Sequence, residues 1–349
     1  MEPTLKPESF TFSGSGGEYF RIWIVNLCLS LITLGLYSPW AKVRRTQYFY
    51  RHTAVAGSHF DYHGNPLAIL KGRLIAGVLF GAYFTAQHFN PKFGLVVFAL
   101  LIAVMPWLLV RSFCFRMHNT SYRGLRFAFH GKTAEAYVNF LLLPLVSYLS
   151  LGLFWPWAHQ RITRFIRNNI GYGNGHFTFQ CTTGAFYKIY LALLGLTLIA
   201  IALAIGLSVL LVKNFLATMH IIQLDQNQAI AVGFIMMIVL YLELFFISPY
   251  LMSRLQNLIW NHTALESLYF SSRLQARKLF NIMLVNLLLT IFTLGLFKPF
   301  ADIRMFRYRI EQLTLLSNAD LDTFISEQQP DVSAVGEETS DFFDMDSAL

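Results

Sequence analysis

Charged residues are scarce in this sequence: they make up 13% of it, against about a quarter of a typical soluble domain. The shortage is concentrated in long apolar runs, which excludes a conventional soluble globular domain. Cysteine is also rare, and the spacing of Cys28, Cys114 and Cys181 fits neither a disulfide framework nor a zinc site. Residues 1–17 lack a basic segment followed by an apolar core, so we do not expect a cleavable signal peptide.

Recognisable catalytic chemistry is missing as well. The sequence shows no nucleophile–base pair, metal-ligand spacing or nucleotide-binding motif, so we predict no enzymatic activity, no cofactor and no metal. The net charge of +8 is a feature shared with nucleic-acid-binding proteins. Here, however, Lys and Arg flank the apolar runs, as is typical of membrane proteins. We therefore expect membrane lipids as partners and no nucleic acid, while the oligomeric state is left open.

The most prominent feature that is present is a set of seven apolar segments. A helix of about 20 apolar residues crosses a bilayer, and backbone groups in lipid must be satisfied within the segment. The sequence therefore predicts an all-α integral membrane protein with about seven spans. The segments cover residues 22–40, 74–89, 93–110, 137–157, 186–212, 229–250 and 280–300.

Internal self-similarity organises these segments. The pattern Leu-Gly-Leu-aromatic-x-Pro begins at Leu34, Leu151 and Leu294, and weaker copies begin at Pro106 and Pro249. A second element, Phe-x-aromatic, starts at four places and has a degraded fifth copy. These copies start at Phe10, Phe60, Phe127, Phe177 and Phe270.

The regular intervals between these elements predict five internal repeats. Their approximate bounds are residues 10–58, 60–125, 127–175, 177–268 and 270–316. We interpret Phe-x-aromatic as a short extended segment before each apolar run, and the proline as the start of an amphipathic helix. The second and fourth repeats each contain two spans, whereas the others contain one.

At this point the sequence resembles the YjgN-like family of bacterial inner-membrane proteins, which has no assigned activity. The resemblance rests on Leu-Gly-Leu-aromatic-x-Pro-Trp-Ala at residues 34–41 and 151–158, and it covers roughly residues 10–316. The last repeat has Phe300 in place of the tryptophan. The resemblance implies a location in the bacterial cytoplasmic membrane and brings no catalytic residues.

Two arguments about membrane topology disagree. If all seven segments cross and the N-terminus is outside, 16 Lys and Arg residues lie inside and 11 outside; if the three unpaired segments are re-entrant, the numbers are 25 and 2. The positive-inside rule favours the second arrangement. We give more weight to length, because only about six residues separate Gly35 from Lys42, too few for a return leg across the membrane. We therefore predict seven crossings.

Three polar residues inside the apolar segments are candidates for a substrate or ion pathway: Glu243, Asn26 and Asn286. An intramembrane carboxylate often belongs to an ion or proton pathway, although Glu243 is close enough to Pro249 to form an interfacial ion pair instead. Asn26 and Asn286 occupy equivalent repeat positions, and hydrogen bonding between helices is the alternative interpretation.

Arginine and tryptophan residues near the prolines are predicted anchors, either to lipid headgroups or to neighbouring helices. The arginines stand five residues after each repeat proline. The predicted anchors are Arg44, Arg111, Arg161, Arg254, Arg304, Trp40, Trp107 and Trp157.

The chain divides into a membrane domain, residues 1–316, and an acidic tail, residues 317–349. The tail composition predicts disorder, and its last residues are a candidate binding segment for a protein partner. Two functions are compatible with the whole sequence. The first is a transporter or channel for a small solute or ion, and the alternative is a non-enzymatic membrane scaffold or lipid-binding protein.

Overall fold

The computed structural model describes residues 6–219 and 226–317, together with Phe324 and Gln328; within 200–244, only some side chains are described. Its centre is an antiparallel sheet of short strands, rich in β-branched and aromatic residues. The strands are β1 (Lys6–Ser9), β2 (Thr11–Phe12), β3 (Thr53–Val55), β4 (Ser58–Tyr62), β5 (Thr120–Tyr122), β6 (Leu125–Phe129), β7 (Ile170–Tyr172), β8 (Gly175–Phe179), β9 (Thr263–Leu265), β10 (Leu268–Ser272) and β11 (Leu313–Ser317).

The sheet curls into a barrel because its two outermost strands are consecutive in the chain. β1 pairs with β11, with Lys6 opposite Ser317, and β2 pairs with β3, with Phe12 opposite Thr53. Only Phe10 separates β1 from β2, and its amide donates to the carbonyl of Leu313 at 3.1 Å. The segment from β1 to β2 therefore acts as one strand that joins both edges of the sheet.

Helices connect the strand hairpins. They are α1 (Gly16–Ile32), α2 (Ser38–Arg51), α3 (Pro66–Phe89), α4 (Pro91–His118), α5 (Thr133–Tyr137), α6 (Leu143–Leu149), α7 (Trp155–Asn168), α8 (Thr183–Met219), α9 (Gln226–Asn261), α10 (Ala276–Phe292) and α11 (Lys298–Glu311), and a π-helical turn (Val138–Leu142) joins α5 to α6. The order strand, helix pair, strand occurs five times in the described chain. All helices consequently attach at one end of the barrel, here called the helix end, and the strand hairpins turn at the opposite turn end.

Three of the helix pairs are short, and the Leu-Gly-Leu pattern forms the turn between their helices. After α1, Leu34 and Gly35 both take positive φ angles, +49° and +91°, and the Gly35 amide donates to the carbonyl of Ser30. This is the left-handed helix ending that glycine favours. α2 then begins with Pro39 in its first turn and returns to the barrel. The same turn joins α6 to α7 and α10 to α11.

The prediction of an all-α protein with seven spans is therefore wrong. The described residues contain the eleven-stranded sheet and three helices long and apolar enough to cross a membrane: Pro66–Phe89, Pro91–His118 and Thr183–Leu203. The predicted spans 22–40, 137–157 and 280–300 each contain a turn between two antiparallel helices. In each of these segments the apolar end of one helix, the apolar turn and the start of the next helix are contiguous in sequence, so together they resemble a single span. The length argument failed because the return leg is the amphipathic helix itself.

Candidate binding site in the barrel lumen

The barrel encloses a cavity of about 510 Å³. Its wall is built by the first Phe of each Phe-x-aromatic copy, together with the lumen-facing residues of the neighbouring strands. Apart from Phe10, each of these Phe residues lies directly opposite a lumen-facing residue of the paired strand, and such cross-strand pairs stabilise the sheet. The opposed pairs are Phe60 and Tyr122, Phe127 and Tyr172, Phe177 and Leu265, and Phe270 and Leu315.

These side chains form an almost continuous aromatic lining. Phe10 and Phe60 stack at 6.4 Å between ring centroids, and Phe177 stacks on Phe270 at 6.0 Å. Phe127 lies between the two groups, 6.4 Å from Phe177. Offset aromatic pairs at these separations add to the free energy gained by burying the rings. The lumen is therefore an apolar space with a wall of packed aromatic rings.

Tyrosine hydroxyl groups tie neighbouring units together near the turn end. Tyr122 donates to the carbonyl of Val55 at 2.8 Å, and Tyr172 donates to the carbonyl of Tyr122 at 2.9 Å. Burial raises the pKa of Tyr172, so the hydroxyl keeps its proton and remains a donor. Both bonds satisfy the polar tip of a buried ring, which leaves the cavity wall apolar.

Two residues of the C-terminal tail lie against the barrel. Phe324 is buried within the same aromatic cluster and contributes to the cavity wall. Gln328 accepts a hydrogen bond from the amide of Asn174 at 3.2 Å, in the turn between β7 and β8. The side chain of Phe324 thus covers part of the lumen at the turn end.

The helix end of the cavity is basic. Arg116, Arg167 and Arg309 each lie in the last turn of a helix that enters the barrel, and all three line the cavity. Helix C-termini carry a partial negative charge, which makes them a tolerable place for a cation. No carboxylate occurs among the described residues that line the cavity.

The surroundings of Arg167 and Arg309 differ. The guanidinium of Arg167 lies 4.3 Å from the centroid of the Trp260 ring and makes no hydrogen bond to the described residues. Protein atoms surround it closely, although part of its surface faces the cavity, and burial lowers its pKa to about 10. Arg309 is more exposed and donates through Nε to the side-chain oxygen of Gln256 at 2.7 Å. Burial also lowers the pKa of Arg309.

This arrangement is suited to binding an anionic group. A buried cation without a counter-ion is unfavourable, and a carboxylate or phosphate is the group that best compensates an arginine. The cavity therefore offers an apolar lumen and a cluster of anion-binding donors at one end. Few polar groups converging on an apolar cavity of this size are typical of small-molecule sites.

The predicted pathway residues are not part of this cavity. Asn286 is buried in α10, and its side-chain amide donates to the carbonyl of Ala301 in α11 at 3.2 Å. Asn26 is buried in the equivalent place in α1. The side chain of Glu243 lies outside the described residues, so its role stays a prediction.

The predicted anchors lie on the outside of the helices. All five arginines are exposed, and three of them lie over an aromatic ring of their own segment. Those pairs are Arg44 with Tyr37, Arg111 with Trp107, and Arg254 with Tyr250. Trp40 and Trp157 are half-buried near the short turns, and Trp107 is exposed. Within the described part of the chain, no cluster of His, Cys, Asp and Glu is placed to hold a metal ion.

Sequence reasoning missed the three cavity arginines. Arg116 and Arg309 stand four residues before a strand, and Arg167 stands three before one. One helical turn before the barrel, a side chain on the inner helix face points along the lumen. The signal exists in the sequence, but it becomes visible only when the short strands β5, β7 and β11 are recognised.

Comparison with known proteins places the chain among membrane proteins. Residues 7–342 match the profile of a family described as "Bacterial protein of unknown function (DUF898)". Three relatives are each named "Inner membrane protein YjgN". The protein from Salmonella typhimurium is 31% identical over 144 residues, 41% of this chain and 36% of that protein. The Escherichia coli K12 protein is 24% identical over 52% of this chain and 54% of that protein.

The third relative, from Escherichia coli O157:H7, is 23% identical over 95% of this chain and 94% of that protein. The chain thus spans about a third and about half of the first two relatives, and nearly all of the third. No solved structure matches the chain. Because the family match covers almost the whole chain, the protein is a bacterial inner-membrane protein that belongs to the DUF898 family, and the resemblance to YjgN is confirmed.

Proposed function

We propose that the barrel binds an anionic amphiphile taken from the membrane. Its hydrocarbon chain occupies the aromatic lumen, and its carboxylate or phosphate lies against Arg167, Arg309 and Arg116. The protein acts as a binding protein in this proposal, without catalysis. The observation that supports it most directly is Arg167, a cation largely surrounded by protein that forms neither an ion pair nor a hydrogen bond with the described residues.

The position of the cavity supports a ligand that arrives from the lipid phase. All helices leave the barrel at the end where the three arginines lie, including the apolar helices α3 and α4. The basic end of the lumen therefore faces the bilayer. An amphiphile that leaves the membrane meets the arginine cluster at the entrance to the apolar space.

A series of ligands with the same chain and different head groups tests this proposal. Purified protein in lipid nanodiscs is loaded with a fluorescent fatty acid, and the displacing concentration is measured for hexadecanoate, hexadecyl phosphate, hexadecanol and hexadecyltrimethylammonium. The two anions should displace the probe at about 10- to 100-fold lower concentration than the alcohol, because charge-assisted hydrogen bonds contribute about 1.5–3 kcal/mol. Equal potency of acid and alcohol would contradict a role for the arginines.

Two variants of α11 provide a matched comparison. Arg309→Gln should raise the Kd for hexadecanoate about tenfold, since it removes one charged donor from the cavity. Arg304→Gln changes an exposed residue of the same helix outside the cavity and should leave the Kd unchanged. If both variants lose affinity equally, the effect comes from the overall charge of the protein and not from the lumen.

A further inference from the structure

The turns of the three short helix pairs are both apolar and exposed. We call them the tips; they comprise residues 31–37, 148–154 and 291–297. Leu34, Leu151 and Leu294 are 94%, 95% and 95% exposed, and their large apolar neighbours are mostly open as well. A soluble surface rarely presents three such patches. The tips therefore require an apolar environment outside the protein.

The backbone amides of each tip are also satisfied internally. In the first tip, the amides of Leu34, Gly35 and Leu36 donate to the carbonyls of Leu31, Ser30 and Thr33. The Thr33 hydroxyl donates to the carbonyl of Leu29 at 2.7 Å and accepts from the amide of Tyr37 at 3.0 Å.

The other two tips repeat this pattern. The side chains of Ser150 and Thr293 accept from the amides of Phe154 and Phe297, as Thr33 does from Tyr37. Water could satisfy these amides in an ordinary surface turn, whereas hydrocarbon cannot, so internal pairing of the amides suits a backbone placed in lipid.

A contact between α2 and α3 sets the depth of the first tip. The guanidinium of Arg73 donates to the hydroxyl of Ser38, the first residue of α2. Arg73 directly precedes the apolar part of α3, residues 74–89, which rises about 24 Å. Ser38, which directly follows the first tip, therefore lies level with the start of the apolar part of α3. From that level the tip extends into the membrane by only about one helical turn. A depth of about 5–10 Å is expected, the usual one for an apolar element in the interface.

We propose that the three tips insert into the leaflet on the barrel side of the membrane and do not cross it. The partner is the lipid of that leaflet, and this inference is independent of any ligand in the lumen. Trp40, Trp157 and Lys298 follow the tips closely, at the depth where aromatic rings and cations contact headgroups.

In this arrangement the two long helix pairs, α3 with α4 and α8 with α9, cross the bilayer. Only Lys92, next to the turn between α3 and α4, and Lys213, in the last part of α8, then lie on the opposite side, and 25 of the 27 Lys and Arg residues lie on the barrel side. The positive-inside rule accordingly places the barrel in the cytoplasm.

Depth-dependent quenching tests the proposal. In a background where Cys28, Cys114 and Cys181 are replaced by serine, single cysteines at Leu34, Leu151 and Leu294 carry an environment-sensitive fluorophore. Proteoliposomes contain lipids with a spin label near the headgroup or near the chain end. We expect the near-headgroup label to quench all three tips most strongly, while a Phe80→Cys control, at an exposed position near the middle of the apolar part of α3, is quenched most by the chain-end label.

Sidedness provides a second measurement. In intact spheroplasts, a membrane-impermeant maleimide should label Asn90→Cys, in the far turn of the α3–α4 pair, but not the tips or Ser58→Cys in a barrel turn. Labelling of the tips to the same extent as Asn90→Cys would overturn the proposal in favour of full crossing. Quenching of the tips by aqueous iodide, as strong as for Ser58→Cys, would overturn it in favour of tips in water.

Discussion

Replacement of Arg167 by methionine is expected to raise the Tm of the ligand-free protein, although it removes a ring contact with Trp260. Burial lowers the pKa of Arg167 to about 10, and at about 1.4 kcal/mol for each pKa unit this decrease represents roughly 3 kcal/mol of unfavourable burial. The lost cation–π contact offsets about 1 kcal/mol of this gain. A net stabilisation of about 2 kcal/mol follows.

The direction in which stability changes with pH follows from the linkage between protonation and folding. The folded-state pKa is lower than the unfolded-state value, so the unfolded chain holds the proton more strongly. Stability therefore rises as the pH increases above about 10, and at neutral pH the full penalty is present. The methionine variant should remove that dependence on pH in this range.

The same variant should weaken binding of hexadecanoate by about 100-fold, because the chain loses its buried charged donor. Arg161→Met, an exposed change in the same helix, should alter neither property. Thermal unfolding in detergent and probe displacement measure the two effects separately. A variant with lower Tm and unchanged affinity would show that Arg167 is a structural partner of Trp260 and would count against the proposed site.

Phe177→Ala is expected to destabilise the barrel by about 3–4 kcal/mol. Phe177 is 8% exposed and packs against Phe127 and Phe270 on either side, so its removal leaves an empty space in the packed aromatic wall. The next residue, Thr178, faces outward on the same strand, and Thr178→Ala should change stability by less than about 0.5 kcal/mol. Denaturant unfolding followed by tryptophan fluorescence compares the two. Similar losses in both variants would indicate that the strand, and not the aromatic lining, determines stability.

The sequence was sufficient for the membrane class and for the extended character of the Phe-x-aromatic elements, because apolar runs and alternating aromatics are local signals. It was insufficient for the barrel. Strands of two to five residues are too short to show an alternating pattern, and their partners lie in other units. The pairing of Lys6 with Ser317 joins residues at opposite ends of the described chain.

The binding site illustrates the same limit. Arg44 and its four equivalents stood out because they recur at a fixed interval after a proline, yet they are exposed on the outer helix faces. Arg167 does not recur at a fixed distance from the repeat prolines, so the sequence pattern did not indicate it. Its role depends on the direction in which α7 enters the barrel. That direction is set by packing against β8, where the amide of Phe179 donates to the side chain of Asn168, and a local pattern does not show this contact.

The strand from β1 to β2 has a consequence for biosynthesis. It precedes the five helix pairs in the chain, whereas its partner β11 follows all of them, and synthesis proceeds at about 5–20 residues per second. Membrane insertion of the earlier helix pairs therefore precedes closure, and for that interval β10 has an open edge. Closure seals the lumen in a single late step, so the nascent protein passes through a stage in which its interior is freely accessible from the side.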